Sequence, residues 1–142
     1  MTVTQANEAV VRRFYDELWN ERRQSVAEEI IADAFRFRGS LGTTLTGRDE
    51  FKRYVETVFT AFPDWDNRID EILASDNRVV TRMTWSGTHR GQFRHIEPTG
   101  ARVRYCRGLL QVVGRFDREG WIVGDTQELW RALGVQSEDA PV

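Results

Sequence analysis

At 142 residues, with 40% apolar and 30% charged side chains, the chain has the make-up of one globular domain, with no room for a second core. Its 22 acidic and 20 basic residues nearly cancel, to a formal charge of −2, which removes the electrostatic basis for nucleic acid or an anionic membrane as partner. No run reaches the roughly 18 apolar residues of a membrane span. Met1 to Phe14 lacks the basic and apolar parts of a secretory signal. The single cysteine, Cys106, precludes an intrachain disulfide, and the combination predicts a cytoplasmic protein.

In chain order, Asn7, Val10, Val11, Phe14, Tyr15, Leu18 and Trp19 fall on one helical face and predict a helix from about Thr4, its N-cap, to Asn20. Ser25 with Glu28 has the capping-box spacing, and Val26, Ala27, Ile30 and Ile31 supply the stripe of a short second helix. Residues Phe35 to Arg38 alternate as a strand does, and Gly39 to Gly47 read as loop. A third helix runs from about Thr46 or Gly47 to Phe62 with Phe51, Tyr54, Val55, Val58, Phe59 and Phe62 on its apolar face, and Pro63 ends it.

From Trp65 the period falls to two. Strands are expected at Arg68–Ala74 and Arg78–Gly87, turned by Ser75-Asp76-Asn77. Val79, Thr81, Met83 and Trp85 share one face of the second. After a polar loop, Pro98-Thr99-Gly100 leads into a long strand, Ala101 to Phe116, with Gly108 and Gly114 as kink points. Asp117 to Gly120 predicts a tight turn, Trp121 to Thr126 the last strand, and Leu129 to Gly134 a closing helix stopped by glycine. Helices first and antiparallel strands after make an α+β pattern rather than βαβ units. The core spans about residues 5–134, and 135–142 form a tail.

No Gly-rich phosphate loop or nucleophile elbow is present, and His89 and His95 find no third residue at metal-ligand spacing. Most carboxylates lie on mixed helix faces or in turns. Asp125 differs, because it follows the apolar run Trp121-Ile122-Val123-Gly124 and precedes the closing helix. Two readings stand. In one, Asp125 projects into an apolar cavity, where burial raises its pKa and makes it a general acid or base. In the other, it caps the closing helix. Arg82 and Arg107 sit within strands, either solvated or as charge partners to a carboxylate or substrate oxygen. Tyr15, Trp65, Trp85, Tyr105 and Gln111 are candidates for lining a pocket, the aromatic ones equally for plain core.

Three motifs in order, Phe62-Pro63-Asp64-Trp65, Gly87-Thr88-His89-x-Gly91-x-Phe93 and Pro98-Thr99-Gly100, together with the opening Val11-x-x-Phe14-Tyr15-x-x-x-Trp19-Asn20 and the terminal Leu133-Gly134, resemble the SnoaL-like polyketide cyclases of the NTF2-like superfamily. The resemblance spans about residues 5 to 134. It implies a cone, in which a curved antiparallel sheet and three N-terminal-half helices enclose an apolar cavity. It implies ring closure of an aromatic, anthracycline-type polyketide in antibiotic biosynthesis by aldol chemistry, with no metal or organic cofactor. The family's acid/base aspartate lies eight residues before the leucine of the terminal Leu-Gly, which is Asp125 here. His89, Arg107 and Gln111 join Tyr15, Trp65, Trp85 and Tyr105 as expected substrate contacts. A homodimer through the open sheet face is expected as well. Two departures stand out. Phe37-Arg38-Gly39 replaces the family's polar Asp/Asn–His pair, and the last strand is short between Ile122-Val123 and the aspartate. Related proteins with this fold act in polyketide hydroxylation, and the shape also suits a non-catalytic binding or dimerisation module.

Overall fold

The computed structural model describes the backbone of residues 2–112 and 119–135, and their side chains except those of 106–112. The element order is α1 (Val3–Arg13), a π-helical segment (Phe14–Asn20), α2 (Val26–Ile30), β1 (Arg36–Arg38), β2 (Thr44–Thr46), α3 (Arg48–Ala61), β3 (Asp66–Ser75), β4 (Arg78–Thr88), β5 (Arg102–Val112), β6 (Glu119–Val123) and α4 (Thr126–Ala132). The six strands form one sheet in the order β2-β1-β6-β5-β4-β3. Neighbours are antiparallel except β1 and β6, which run parallel. The expected α+β cone is therefore present, with one parallel pair that the sequence pattern does not announce.

Two bulges curl the sheet at the same level. In β3, Asp70 is the extra residue between the Ile69–Met83 and Glu71–Arg82 pairs. In β5, Arg107 is the extra residue between the Gly108–Met83 and Cys106–Thr84 pairs, beside the predicted kink glycine. A bulged strand bends and twists more strongly. With bulges on both sides of Met83, the sheet wraps its apolar face around the helices. Asp70 turns outward, where the Thr84 hydroxyl donates to it at 2.6 Å and Arg68 at 2.7 Å.

The enclosed core is aromatic. Phe51 of α3 is fully buried and meets the rings of Phe14, Trp19, Phe35, Phe37 and Tyr54 at centroid distances from 4.9 to 6.4 Å. Burying a side chain of that size contributes about 2–3 kcal/mol. The predicted faces hold: Val79, Thr81, Met83 and Trp85 of β4 are all buried, and α3 stops at Ala61 before Pro63.

Local readings change in several places. Thr2 caps α1, in a capping box with Gln5, in place of Thr4. Ser25 makes no side-chain cap bond, because the turn before α2 already satisfies its first amides through Val26 N to Arg23 O and Ala27 N to Gln24 O. The Gly39–Gly47 stretch contains β2, a three-residue edge strand too short for periodicity to reveal. Glu119 and Gly120 belong to β6 and not to a turn. Gly114, Asp117, Arg118 and the 136–142 part of the predicted tail lie outside the described residues.

Candidate active-site cavity

The first α-helix changes register at Phe14 and continues as a π-helix to Asn20. In an α-helix, residues five apart diverge by about 140° around the axis. The i→i+5 turn brings them back toward one face. Tyr15, Trp19 and Asn20 thereby all face inward: Tyr15 and Trp19 line the cavity, and Asn20 reaches β3. The Asn20 amide donates to the Asn67 carbonyl at 2.8 Å and accepts from the Asn67 N–H at 2.9 Å and from Nδ2 at 3.2 Å. These bonds fix Asn67, itself buried, in the cavity wall.

The cavity between the helices and the sheet measures about 30 Å³, room for about two waters. Tyr15, Trp19, Ser40, Tyr54, Trp65, Asn67, Trp85 and Tyr105 supply its aromatic and polar lining, and Phe37, Val58 and Ile122 its apolar remainder. Among the described residues no charged side chain lines it. Burial pushes the Tyr54 phenol up to about 12, tempered by Arg94 nearby. Burial raises Tyr15 and Tyr105 further still. Ser40 moderates the shift of Tyr105. All three phenols are neutral near pH 7, so they act as hydrogen-bond donors and not as bases.

Of the expected contacts, Tyr15, Trp65, Trp85 and Tyr105 are brought together on this cavity. The side chains of Arg107 and Gln111 lie outside the described residues. His89 does not line the cavity. It is fully buried beneath the 89–101 loop, tilted against Phe62 and edge-on to Phe93. Its Nδ1 accepts from the Thr99 N–H at 3.2 Å and lies 3.0 Å from the Thr99 hydroxyl. Accepting there places the ring proton on Nε2, which has no partner of good geometry. Burial lowers the His89 pKa, and the Gly91 backbone offsets only part of that. His89 therefore clamps the loop as a neutral ring.

Asp125 does not project into the cavity. It is exposed, and its Oδ1 accepts from the Glu128 N–H at 3.3 Å as the N-cap of α4. The reason is strand parity: Gly120 and Ile122 face inward while Trp121 and Val123 face out, and Asp125 continues the outward set. Gly124, of the inward set, is packed so closely that a Cβ there would lie 3.1 Å from the Trp85 ring, 3.2 Å from Ser40 and 3.6 Å from Tyr105. The backbone leading into Asp125 is thus part of the cavity rim.

Trp19, Ser40, Tyr54 and Asn67 were not singled out as lining residues by sequence reasoning. Trp19 and Tyr54 look like ordinary stripe residues of helices. Ser40 lies in an aperiodic loop, and Asn67 just precedes the strand as predicted. Only the polar type of Asn67 beside a period-two run is a usable signal.

The family model of the SnoaL-like polyketide cyclases matches residues 9–133. The chain belongs to that family. Among solved structures, it is similar to AclR of Streptomyces galilaeus, described as a candidate hydroxylase, at 24% identity and a TM-score of 0.78 over 97% of this chain and 86% of that one. A candidate SnoaL-like polyketide cyclase from Jannaschia sp. CCS1 shares 18% identity with a TM-score of 0.84, covering 100% of this chain and 97% of the other. IdmH of Streptomyces antibioticus, a candidate polyketide cyclase, shares 22% identity with a TM-score of 0.75 over 91% and 99%. At these identities the likeness establishes a common NTF2-like fold for this SnoaL-like chain. No curated protein matches it in sequence.

Proposed function

We propose that this SnoaL-like protein closes a ring in an aromatic polyketide-type substrate by intramolecular aldol chemistry, without a cofactor. The observation that carries the reading is the Gly124–Asp125 junction, where the packing of Gly124 on Ser40, Trp85 and Tyr105 holds the Asp125 carboxylate of the β6–α4 turn at the rim of an aromatic cavity. The single cap bond at 3.3 Å is long and exposed, so substrate can draw the carboxylate from it at a cost of about 1 kcal/mol. Asp125 then removes a proton from the carbon beside a carbonyl. The resulting enolate carbon attacks a second carbonyl of the same molecule, and the new alkoxide takes the proton back from Asp125. Neutral tyrosine hydroxyls in the cavity donate to the enolate oxygen as its charge develops, and the aromatic walls hold the chain folded for closure.

A cavity of about 30 Å³ does not admit a fused ring system. Binding requires the aromatic walls to part, and the half-buried lining side chains, Tyr54, Trp65 and Ile122, are the ones with room to move. That closed state, with Asp125 facing solvent, favours a second reading in which the domain is a binding module without turnover. A panel of aromatic polyketides separates these by product mass. Ring closure leaves the mass unchanged or loses water or methanol. Gain of one oxygen assigns a hydroxylase, as the AclR likeness would have it. Tryptophan quenching with the substrate recovered unaltered in both mass and chromatographic retention assigns the module.

The reading places the protein in the cytoplasm, in antibiotic biosynthesis, and as a homodimer. Trp121 and Val123, 44% and 58% exposed on the outer sheet face, are the apolar residues a second copy would cover. Light scattering in solution is expected to give the mass of two chains. The mass of one chain removes the dimer.

A further inference from the structure

Trp19 is buried, and its indole nitrogen, Nε1, is a donor that finds no acceptor in the protein among the described residues. Such a group costs free energy comparable to a lost hydrogen bond, so its retention needs a cause. Tyr15 and Thr81 also carry unpartnered buried hydroxyls, but those two are neighbours and a small rotation pairs them. Trp19 pairs with none of its ring neighbours, Phe51, Tyr54 and Phe59, among the described residues. An indole N–H only donates, so what completes it is an acceptor oxygen. Trp19 lines the cavity, and so does Asn67, which is tied by three hydrogen bonds to Asn20, the residue after Trp19. The Asn67 Oδ1 and the second hydrogen of its Nδ2 remain uncommitted among the described residues.

We propose that Trp19 Nε1–H and the Asn67 carboxamide form a subsite for a ring carbonyl of the substrate, with the indole donating to the carbonyl oxygen and Asn67 pairing with the adjacent hydroxyl or enol. The proposal rests on the reading of the cavity as a site for oxygenated ring systems, and it names the substituent pattern selected there. The π-helix is what makes the subsite. In an ordinary α-helix Asn20 would turn away from Tyr15, and Asn67 would lose its support.

The test uses a matched pair of small probes, α-tetralone, which has the ring carbonyl, and tetralin, which lacks it. Nitrogen-15–proton correlation spectra resolve the indole N–H signals of the five tryptophans, with Trp19 assigned by its loss in Trp19→Phe. The expected result is a downfield shift of the Trp19 indole proton with α-tetralone and not with tetralin, while the Trp65 and Trp85 signals move with both. Trp19→Phe, which keeps an aromatic ring among aromatic neighbours, is expected to weaken α-tetralone binding by up to about tenfold and to leave tetralin unchanged. Shifts of Trp65 and Trp85 without Trp19 overturn the subsite alone, as does equal α-tetralone affinity in Trp19→Phe. Absence of any cavity indole shift with either probe overturns the subsite and the substrate reading beneath it.

Discussion

Gly91→Ala is expected to destabilise the fold by about 3 kcal/mol, the upper end of what overpacking costs, and to lower Tm by roughly 10 °C for a chain of this size. A Cβ at residue 91 would lie 2.0 Å from the Thr60 carbonyl oxygen and 2.9 Å from its carbon, both backbone atoms of α3 that no rotamer can move. The contact is this close because the loop completes the helix. The Arg90 and Gly91 amides both donate to the Ala61 carbonyl, at 2.9 and 3.1 Å, and satisfy an acceptor that the end of α3 leaves open. Forcing the loop away breaks both bonds. It also loosens the His89–Thr99 clamp and the stacking of Phe93 on Trp130, 6.0 Å between centroids, which ties the loop to α4. Gly42→Ala is the control. Its φ of +85° makes alanine strained, but nothing lies within 4 Å, so a loss near 1 kcal/mol is expected there. Thermal unfolding of the two variants separates clash from backbone strain. Equal losses would show that the loop does not bear on α3.

That loop was legible in sequence as an organising stretch, though not for the chemistry it holds. Its glycines and Pro98 mark turns, and a histidine among them reads as a ligand or contact residue. Only the tertiary packing of Phe62 and Phe93 shows that His89 is enclosed and serves the backbone of Thr99. Helix faces and long strands were legible because burial repeats every three to four residues or every two. The β1–β6 parallel pair and the edge strand β2 were not, since three residues carry no period and pairing partners are set by the whole sheet. The π-helical wind was equally hidden. The stripe from Val10 to Trp19 fits an α-helix, and the extra residue per turn appears only once Asn20 is seen bonded to Asn67. For Asp125 the sequence offered two readings at once, and the structure shows the cap. The parity of β6, fixed by Ile122 in the cavity wall, put the side chain on the outer set. The short run from Val123 to the aspartate, visible as a departure from the family pattern, is the segment in which that parity is decided.

Asp125→Asn and Asp125→Ala together separate what the aspartate holds from what it transfers. Asparagine caps helices about as well as aspartate, so Asp125→Asn should keep α4 in place and its stability within a few tenths of a kcal/mol of the parent. Alanine removes the acceptor of the Glu128 N–H and should cost about 1 kcal/mol. Loss of an acid/base group lowers turnover by about 10²- to 10⁴-fold. If Asp125 moves the proton, both variants lose turnover to that extent, although only alanine loses stability, and substrate still quenches tryptophan fluorescence in each. If Asp125 is a cap alone, turnover follows stability: asparagine behaves as the parent and alanine falls slightly. The second pattern would remove Asp125 from the chemistry. The base would then lie elsewhere than Asp125, since the described lining of the cavity supplies only neutral donors. The first pattern requires the exposed carboxylate to leave its cap and enter at the rim beside Gly124. The pair of variants therefore reads out the opening of the cavity as well as the identity of its base.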